Sequence, residues 1–219
     1  MTIEILLLAL ASSVRPTSLA AVYALLATAA PRRLMTVYIA TGLLFTVLFG
    51  VLVVLAFHGI DTGAGTNQAR GVAEIVSGAL VLVFAVAVLT GRIGGRHPAD
   101  APKPVGRWGR LLEHKLTLRT AALLGPVTHI PGLFYLVALN VVVAHQPTAV
   151  EGLLEILLYN AIWFLVPIGA LVVCIVEPAS ARKVVGLIQE WTKAHARVIV
   201  LVVSFGAGAA LLLRGLLTI

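Results

Sequence analysis

The sequence predicts an all-α membrane protein whose six transmembrane helices form two inverted three-helix repeats, with both termini outside. Three observations carry this. Of its 219 residues, 60% are hydrophobic and 11% charged, with a mean hydropathy of +1.04; soluble chains hold roughly half apolar and a quarter charged residues. Six apolar stretches each reach the length of about 20 residues that a spanning helix needs. The cations gather in alternate connections.

The stretches cover approximately residues 3–30, 34–57, 72–91, 118–144, 152–176 and 196–217. Almost nothing remains for a soluble domain, so residues 1–219 read as a single membrane domain. The opening "ILLLALASS" has the look of a secretory apolar core followed by small residues. Yet "MTIE" carries Glu4 and no cation, and the apolar run continues through "LAAVYALLATAA". The segment is therefore expected to remain as the first span.

Orientation follows from Lys and Arg, because cationic loops near the spans stay cytoplasmic. Thirteen of the sixteen lie in or at the edges of the first, third and fifth connections, around Arg32 and Arg33, from Arg92 to Arg119, and from Arg182 to Arg197. Arg70 alone falls in the other connections, while Arg15 and Arg214 lie within spans. This bias accounts for the net charge of +7 without any nucleic-acid partner.

The longest connection, 92–117, is dense in Gly, Pro and charge and reads as a basic cytoplasmic loop joining the halves 1–91 and 118–219. Three spans per half is an odd number, so the second half enters from the opposite face, a common transporter plan. "SVRPTS" and "THIPGL" place Pro16 and Pro131 at matching points of spans 1 and 4, and "VSGALVLVFAVAVLTGR" of span 3 is similar to "VSFGAGAALLLRG" of span 6.

Arg15 lies roughly 18 Å along the first helix at about 1.5 Å per residue, near the bilayer midplane. His129 reaches the same depth from the other side. A central arginine costs about 2.5 to 3.5 kcal/mol on insertion scales, so it should face a bundle interior or an aqueous cavity. Pro16, Pro126 and Pro131 should kink or interrupt their helices, because proline lacks a donor and crowds the carbonyl four residues back. Freed carbonyls in lipid then need protein or water partners. Arg15, Pro16, Pro126, His129 and Pro131 form the candidate substrate site. His129 reads equally as an interhelical hydrogen bond or a proton relay, and Asn160 as a further cavity residue or as packing glue.

Nearer the outer face stand Glu4, Glu155 and Arg214. Arg214 is expected to pair with one of these carboxylates; Glu155 stays a partner of Arg214 or of Arg15, and Glu4 reads as reaching toward outer headgroups. On the cytoplasmic side, "ARKVVGLIQEWTKAHARV" places Val184, Leu187, Ile188 and Trp191 on one helical face, an interfacial amphipathic pattern. Trp108, in "GRWGRLLEHKLTLR", is positioned for the headgroup belt. Both segments should contact membrane lipids.

Catalysis is not expected. The sequence has no GxSxG, HExxH or Walker loop and no hydrolase-like carboxylate pair. Cys174 is the single cysteine, which excludes an intramolecular disulfide, a cysteine zinc cluster and a CxxC carrier. No metal or cofactor is expected. Gly206 and Gly208 lie inside span 6 and read as close helix contacts rather than a phosphate cradle.

The proline-bearing "SSVRPTSLAAV" of span 1, its counterpart "LLGPVTHIPGLFYLVAL" in span 4, the long basic middle loop and the Gly-rich spans 3 and 6 resemble the LysE exporter superfamily. Within it, the chain is similar to the sulfolipid- and peptidoglycolipid-addressing (Sap/GAP) family of mycobacteria and related actinobacteria. The resemblance covers essentially the whole chain. It implies a multi-pass inner-membrane protein that helps move cell-envelope glycolipids outward, beside large lipid transporters of the MmpL type. Independently of the resemblance, a homodimer is an assembly open to the chain. Arg15, Pro16, Pro126 and Pro131 are the positions that carry over, and Arg15 stands where amino-acid exporters would have a more neutral residue. Three functions follow: an envelope-lipid transporter or transport accessory, a small-solute or cation exporter, and a non-transporting scaffold of a lipid-transport or lipid-synthesis complex.

Overall fold

The computed structural model describes residues 3–13, 15–58, 67–92, 116–144 and 148–218. Among these there are nine helices and no strand: α1 (Ile3–Ser13), α2 (Pro16–Leu26), α3 (Pro31–His58), α4 (Asn67–Leu89), α5 (Leu118–Thr128), α6 (Leu133–Ala144), α7 (Ala149–Trp163), α8 (Leu165–Val176) and α9 (Pro178–Thr218). Three segments are long and apolar enough to cross a membrane unaided: Pro31–Ala56, Gly71–Leu89 and Arg197–Thr218. The other helices form three bent pairs, α1/α2 at 50°, α5/α6 at 63° and α7/α8 at 58°, which brings the number of candidate spans to six if each pair counts as one. The chain is a helical membrane protein. Trp108 and nearly all of the basic loop 92–117 lie outside the described residues.

The long helices are apolar on both faces, as lipid requires. On α3, Leu44, Leu48, Leu52 and Leu55 are exposed at helical spacing, while Met35, Tyr38, Ile39 and Val54 are buried on the opposite face. Between helices in lipid, association rests on close packing rather than on hydrophobic transfer. The α4–α9 pair shows how. A Cβ built on Gly78 would lie 2.8 Å from the Gly208 carbonyl and 2.9 Å from Leu212 N, and one on Gly215 would lie 2.6 Å from the Gly71 carbonyl. Gly71 therefore faces Gly215 and Gly78 faces Gly208, so the two helices run antiparallel. Gly206, expected at a helix contact, meets nothing within 4 Å; it lies on the exposed side of α9, and the contact falls to Gly208 and Gly215 instead. A second close crossing brings α3 against α5, where a Cβ on Gly125 would reach 2.8 Å from Gly42 N.

At one end of the bundle, arginines donate to carbonyls that helix termini leave without intrahelical partners. Arg32 Nε and Nη2 reach Cys174 and Ile175 of α8 at 3.3 and 3.2 Å. Arg182 Nη2 reaches Leu26 of α2 at 3.3 Å, and Arg197 Nη2 reaches Leu89 of α4 at 2.9 Å. Positive charge beside a helix C-terminus also complements its dipole. Three of the cations in the basic connections thus tie neighbouring helices together.

The prolines act differently from one another. Pro16 occupies the first turn of α2, where a missing donor costs nothing, so the break falls just before it. Pro131 lies within the α5/α6 break itself. Pro126, expected to kink or interrupt its helix, is carried inside α5, which runs on to Thr128 before ending. Span 5, expected as one continuous stretch, breaks at Phe164. Pro167 lacks the N–H that would bond the Trp163 carbonyl, and this break has no counterpart in the unbroken α3.

Candidate substrate site at the broken helices

The α1/α2 and α5/α6 breaks meet. Arg15 is the N-cap of α2, with extended backbone (φ −114°, ψ 119°) and no side-chain capping bond. Its backbone carbonyl accepts the first helical bond from Leu19 N, which frees the side chain to leave the helix axis. Arg15 Nη1 donates to the Ile130 carbonyl at 3.1 Å, in the unwound turn between α5 and α6. The guanidinium carbon lies 4.9 Å from the centroid of the Trp163 ring. Among the described residues no carboxylate lies within ion-pair distance of Arg15; its charge is met by one carbonyl and one aromatic face. A Cβ on Gly132 would come within 2.6 Å of Arg15 Nη2, so the glycine of "HIPG" makes room for the guanidinium.

His129, the C-cap of α5, is 1% exposed. Its Nδ1 lies 2.9 Å from the Gly125 carbonyl. A carbonyl only accepts, so this bond puts the proton on Nδ1 and leaves Nε2 as an acceptor for Ser18 Oγ at 3.5 Å. Ser18 and Thr128 both contact the Tyr38 hydroxyl, at 3.1 and 2.9 Å. The ring stacks on Phe164 with centroids 4.0 Å apart, where the α7/α8 break turns. All three breaks therefore converge on one cluster.

The aromatic wall continues along α7. Tyr135, Tyr159 and Trp163 are mutually in ring contact, at 5.0, 5.2 and 6.0 Å. The Tyr159 hydroxyl bonds Ser12 Oγ at 2.6 Å, and Tyr135 donates to the Thr46 carbonyl at 2.7 Å. Asn160 Nδ2 donates to the Ile156 carbonyl at 2.8 Å and touches the Tyr135 hydroxyl at 3.5 Å. Asn160 Oδ1 and Trp163 Nε1 are buried with no hydrogen-bond partner. Buried polar atoms are ordinarily paired, so one donor and one acceptor stand uncommitted in the cluster that contains Arg15. Cation, donor, acceptor and aromatic faces together suit an anionic, hydroxyl-bearing group. Among the described residues, no three His, Cys, Asp or Glu side chains gather in a way that would hold a metal.

The structure brings Arg15, Pro131, His129 and Asn160 together, with Pro16 and Pro126 flanking the breaks. Sequence reasoning missed Ser12, Ser18, Tyr38, Tyr135, Tyr159, Trp163 and Phe164. Part of the signal was there: "YNAIWF" places Tyr159 and Trp163 four residues apart beside Asn160, hence on one helical face.

A second charged group forms elsewhere. Arg214 Nε lies 3.2 Å from Glu74 Oε1, and Nη1 lies 3.9 Å from Glu4 Oε2. Glu4 and Glu74 are 8% and 5% exposed. Glu4 thus turns inward to Arg214 rather than out toward headgroups, and the nearer partner, Glu74, was not singled out. A buried carboxylate in an apolar bundle is stabilised only when a cation meets it, and Arg214 meets two. Glu155 is half-buried on α7. Trp191 is exposed on α9 and stacks on His195 with centroids 4.9 Å apart.

The family model described as Sap, sulfolipid-1-addressing protein, matches residues 5–217. The chain belongs to the Sap family. No curated protein and no solved structure matches it. The Sap match runs through all nine helices, so all three breaks and the Arg15 cluster lie within the matched region.

Proposed function

We propose that this Sap-family protein moves cell-envelope (glyco)lipids outward across the inner membrane, as a transporter or as the accessory of one, and that Arg15 receives the anionic headgroup. The observation that carries this reading is the Arg15 guanidinium, held by the Ile130 carbonyl and the Trp163 ring with no carboxylate opposite among the described residues. An intramembrane cation in that setting is a functional site by default. The family's printed description, sulfolipid-1-addressing, supports a lipid role. Uncommitted polar atoms on Asn160 and Trp163 support a headgroup that both donates and accepts hydrogen bonds.

In this reading the six spans form two inverted halves, 1–91 and 118–219, joined by the loop 92–117, with both termini outside. The halves rock about the midplane cluster, the general plan of the LysE superfamily. The protein is not an enzyme. An MmpL-type transporter is its working partner, and a homodimer is compatible with the plan.

The test is lipidomics of a deletion strain complemented with wild-type or Arg15→Ala protein. The expected result is accumulation of an anionic envelope lipid in the deletion strain, reversed by wild type and not by the variant. An Arg15→Ala protein that inserts normally and restores the lipid profile sinks the headgroup site. Solute efflux from liposomes containing this protein alone would favour a small-solute exporter. Loss of partner co-purification on replacing Trp108 and Trp191, with Arg15 dispensable, would favour a scaffold.

A further inference from the structure

A groove of about 460 Å³ lies between α2 and the first turns of α9, lined by Tyr23, Arg182, Lys183, Gly186, Leu187 and Glu190. It sits at the arginine-rich end of the bundle, eight residues along the chain from Arg15 to Tyr23 and apart from the substrate site. We propose that it binds an anionic phospholipid of the adjacent leaflet, with the phosphate between Arg182 and Lys183.

Four features carry the assignment. Arg182 Nη2 is bonded to the Leu26 carbonyl at 3.3 Å, which holds the guanidinium at the groove while its remaining donors stay available. Lys183 is exposed beside it. Glu190 gives the same groove an acceptor for a headgroup hydroxyl, which suits a glycerol-type headgroup. Finally, α9 carries two apolar stripes here: Ala181 and Val185 are buried against the protein, while Val184, Leu187 and Trp191 face outward. A free phosphate would have no use for that outward stripe, whereas an acyl chain leaving the groove would lie along it, with Trp191 at headgroup level. Gly186 keeps the floor low, since a Cβ there would lie 3.7 Å from Tyr23 Cε2; a large side chain would fill the groove while both cations are retained in the sequence.

The full-length protein in phosphatidylcholine nanodiscs, titrated with phosphatidylglycerol and read by native mass spectrometry, tests this. Two basic groups near a membrane surface, each contributing about fivefold, give an expected preference for phosphatidylglycerol of about twenty-five-fold. Lys183→Gln should reduce the preference about fivefold. Arg182→Gln with Lys183→Gln should abolish it. Gly186→Trp, with both cations intact, should also abolish it. Equal retention of the two lipids by wild type would overturn the proposal. So would an undiminished preference in Gly186→Trp, which would assign the effect to diffuse surface charge, and so would displacement of the lipid by inorganic phosphate alone, which would assign the site to the free anion.

Discussion

Arg15 Nη1 and the Ile130 carbonyl, 3.1 Å apart, join the break of one bent helix pair to the break of another. Since the same guanidinium lies over Trp163, charge alone does not describe the contact; its planar fork and its stacking are used together. Arg15→Lys should therefore fall between wild type and Arg15→Ala in restoring the envelope lipid to a deletion strain. A desolvated cation–π contact of about 2 kcal/mol makes a drop of about tenfold or more the expected scale for lysine. Full activity with lysine would reduce the site to a point charge.

The α4–α9 contact yields a sharper test, because a Cβ on Gly78 would meet backbone atoms of Gly208 and Leu212. Backbone cannot turn aside as a side chain can, so Gly78→Ala should destabilise by about 1–3 kcal/mol through overpacking. Gly206→Ala, placed where nothing lies within 4 Å, should be neutral or stabilising by up to about 1 kcal/mol from helix propensity. Thermal unfolding in detergent distinguishes the two, and equal effects would contradict the packing described.

Removing Arg214 strands Glu4 and Glu74, both buried. Breaking a fully buried pair costs about 3–5 kcal/mol; with the Arg214 side chain 36% exposed, Arg214→Gln should cost about 2–3 kcal/mol on that scale. Adding Glu4→Gln and Glu74→Gln to the same chain should recover most of the loss, since uncompensated charge is its cause. Unfolding midpoints of the single and triple variants measure it.

Ser204 is fully buried and its hydroxyl has no hydrogen-bond partner. Ser204→Ala removes an unsatisfied polar atom and should stabilise by up to about 1 kcal/mol. A loss of stability would show that the hydroxyl is paired in the membrane.

Composition and length made the six candidate spans legible, because lipid admits few ways to satisfy a backbone. The Arg15–Pro16 pair and "HIPG" marked two of the three breaks for a related reason: charge and proline are costly at mid-depth, and so stand out in a single sequence. The break at Phe164 was less visible, since Pro167 reads as one apolar residue among many. The aromatic wall was harder still. Tyr135 and Tyr159 are ordinary membrane residues until distant segments bring them against each other and against Ser12 and Thr46. Glu74 was overlooked because it sits near the start of the apolar stretch 72–91, where an acidic residue raises no question; its meaning comes from Arg214, which is 140 positions away along the chain.

The facing glycines of α4 and α9 also act as a register lock. Gly71 opposite Gly215 and Gly78 opposite Gly208 are both spaced by seven residues, two turns of helix. A slide of one turn, about 5.4 Å, would bring Glu74 or Leu82 to the place of Gly78, where there is no room for a side chain. Sliding of these two helices along one another is therefore blocked at both glycine pairs, in contrast to the three bent pairs gathered around Arg15, which have no such lock between their own halves.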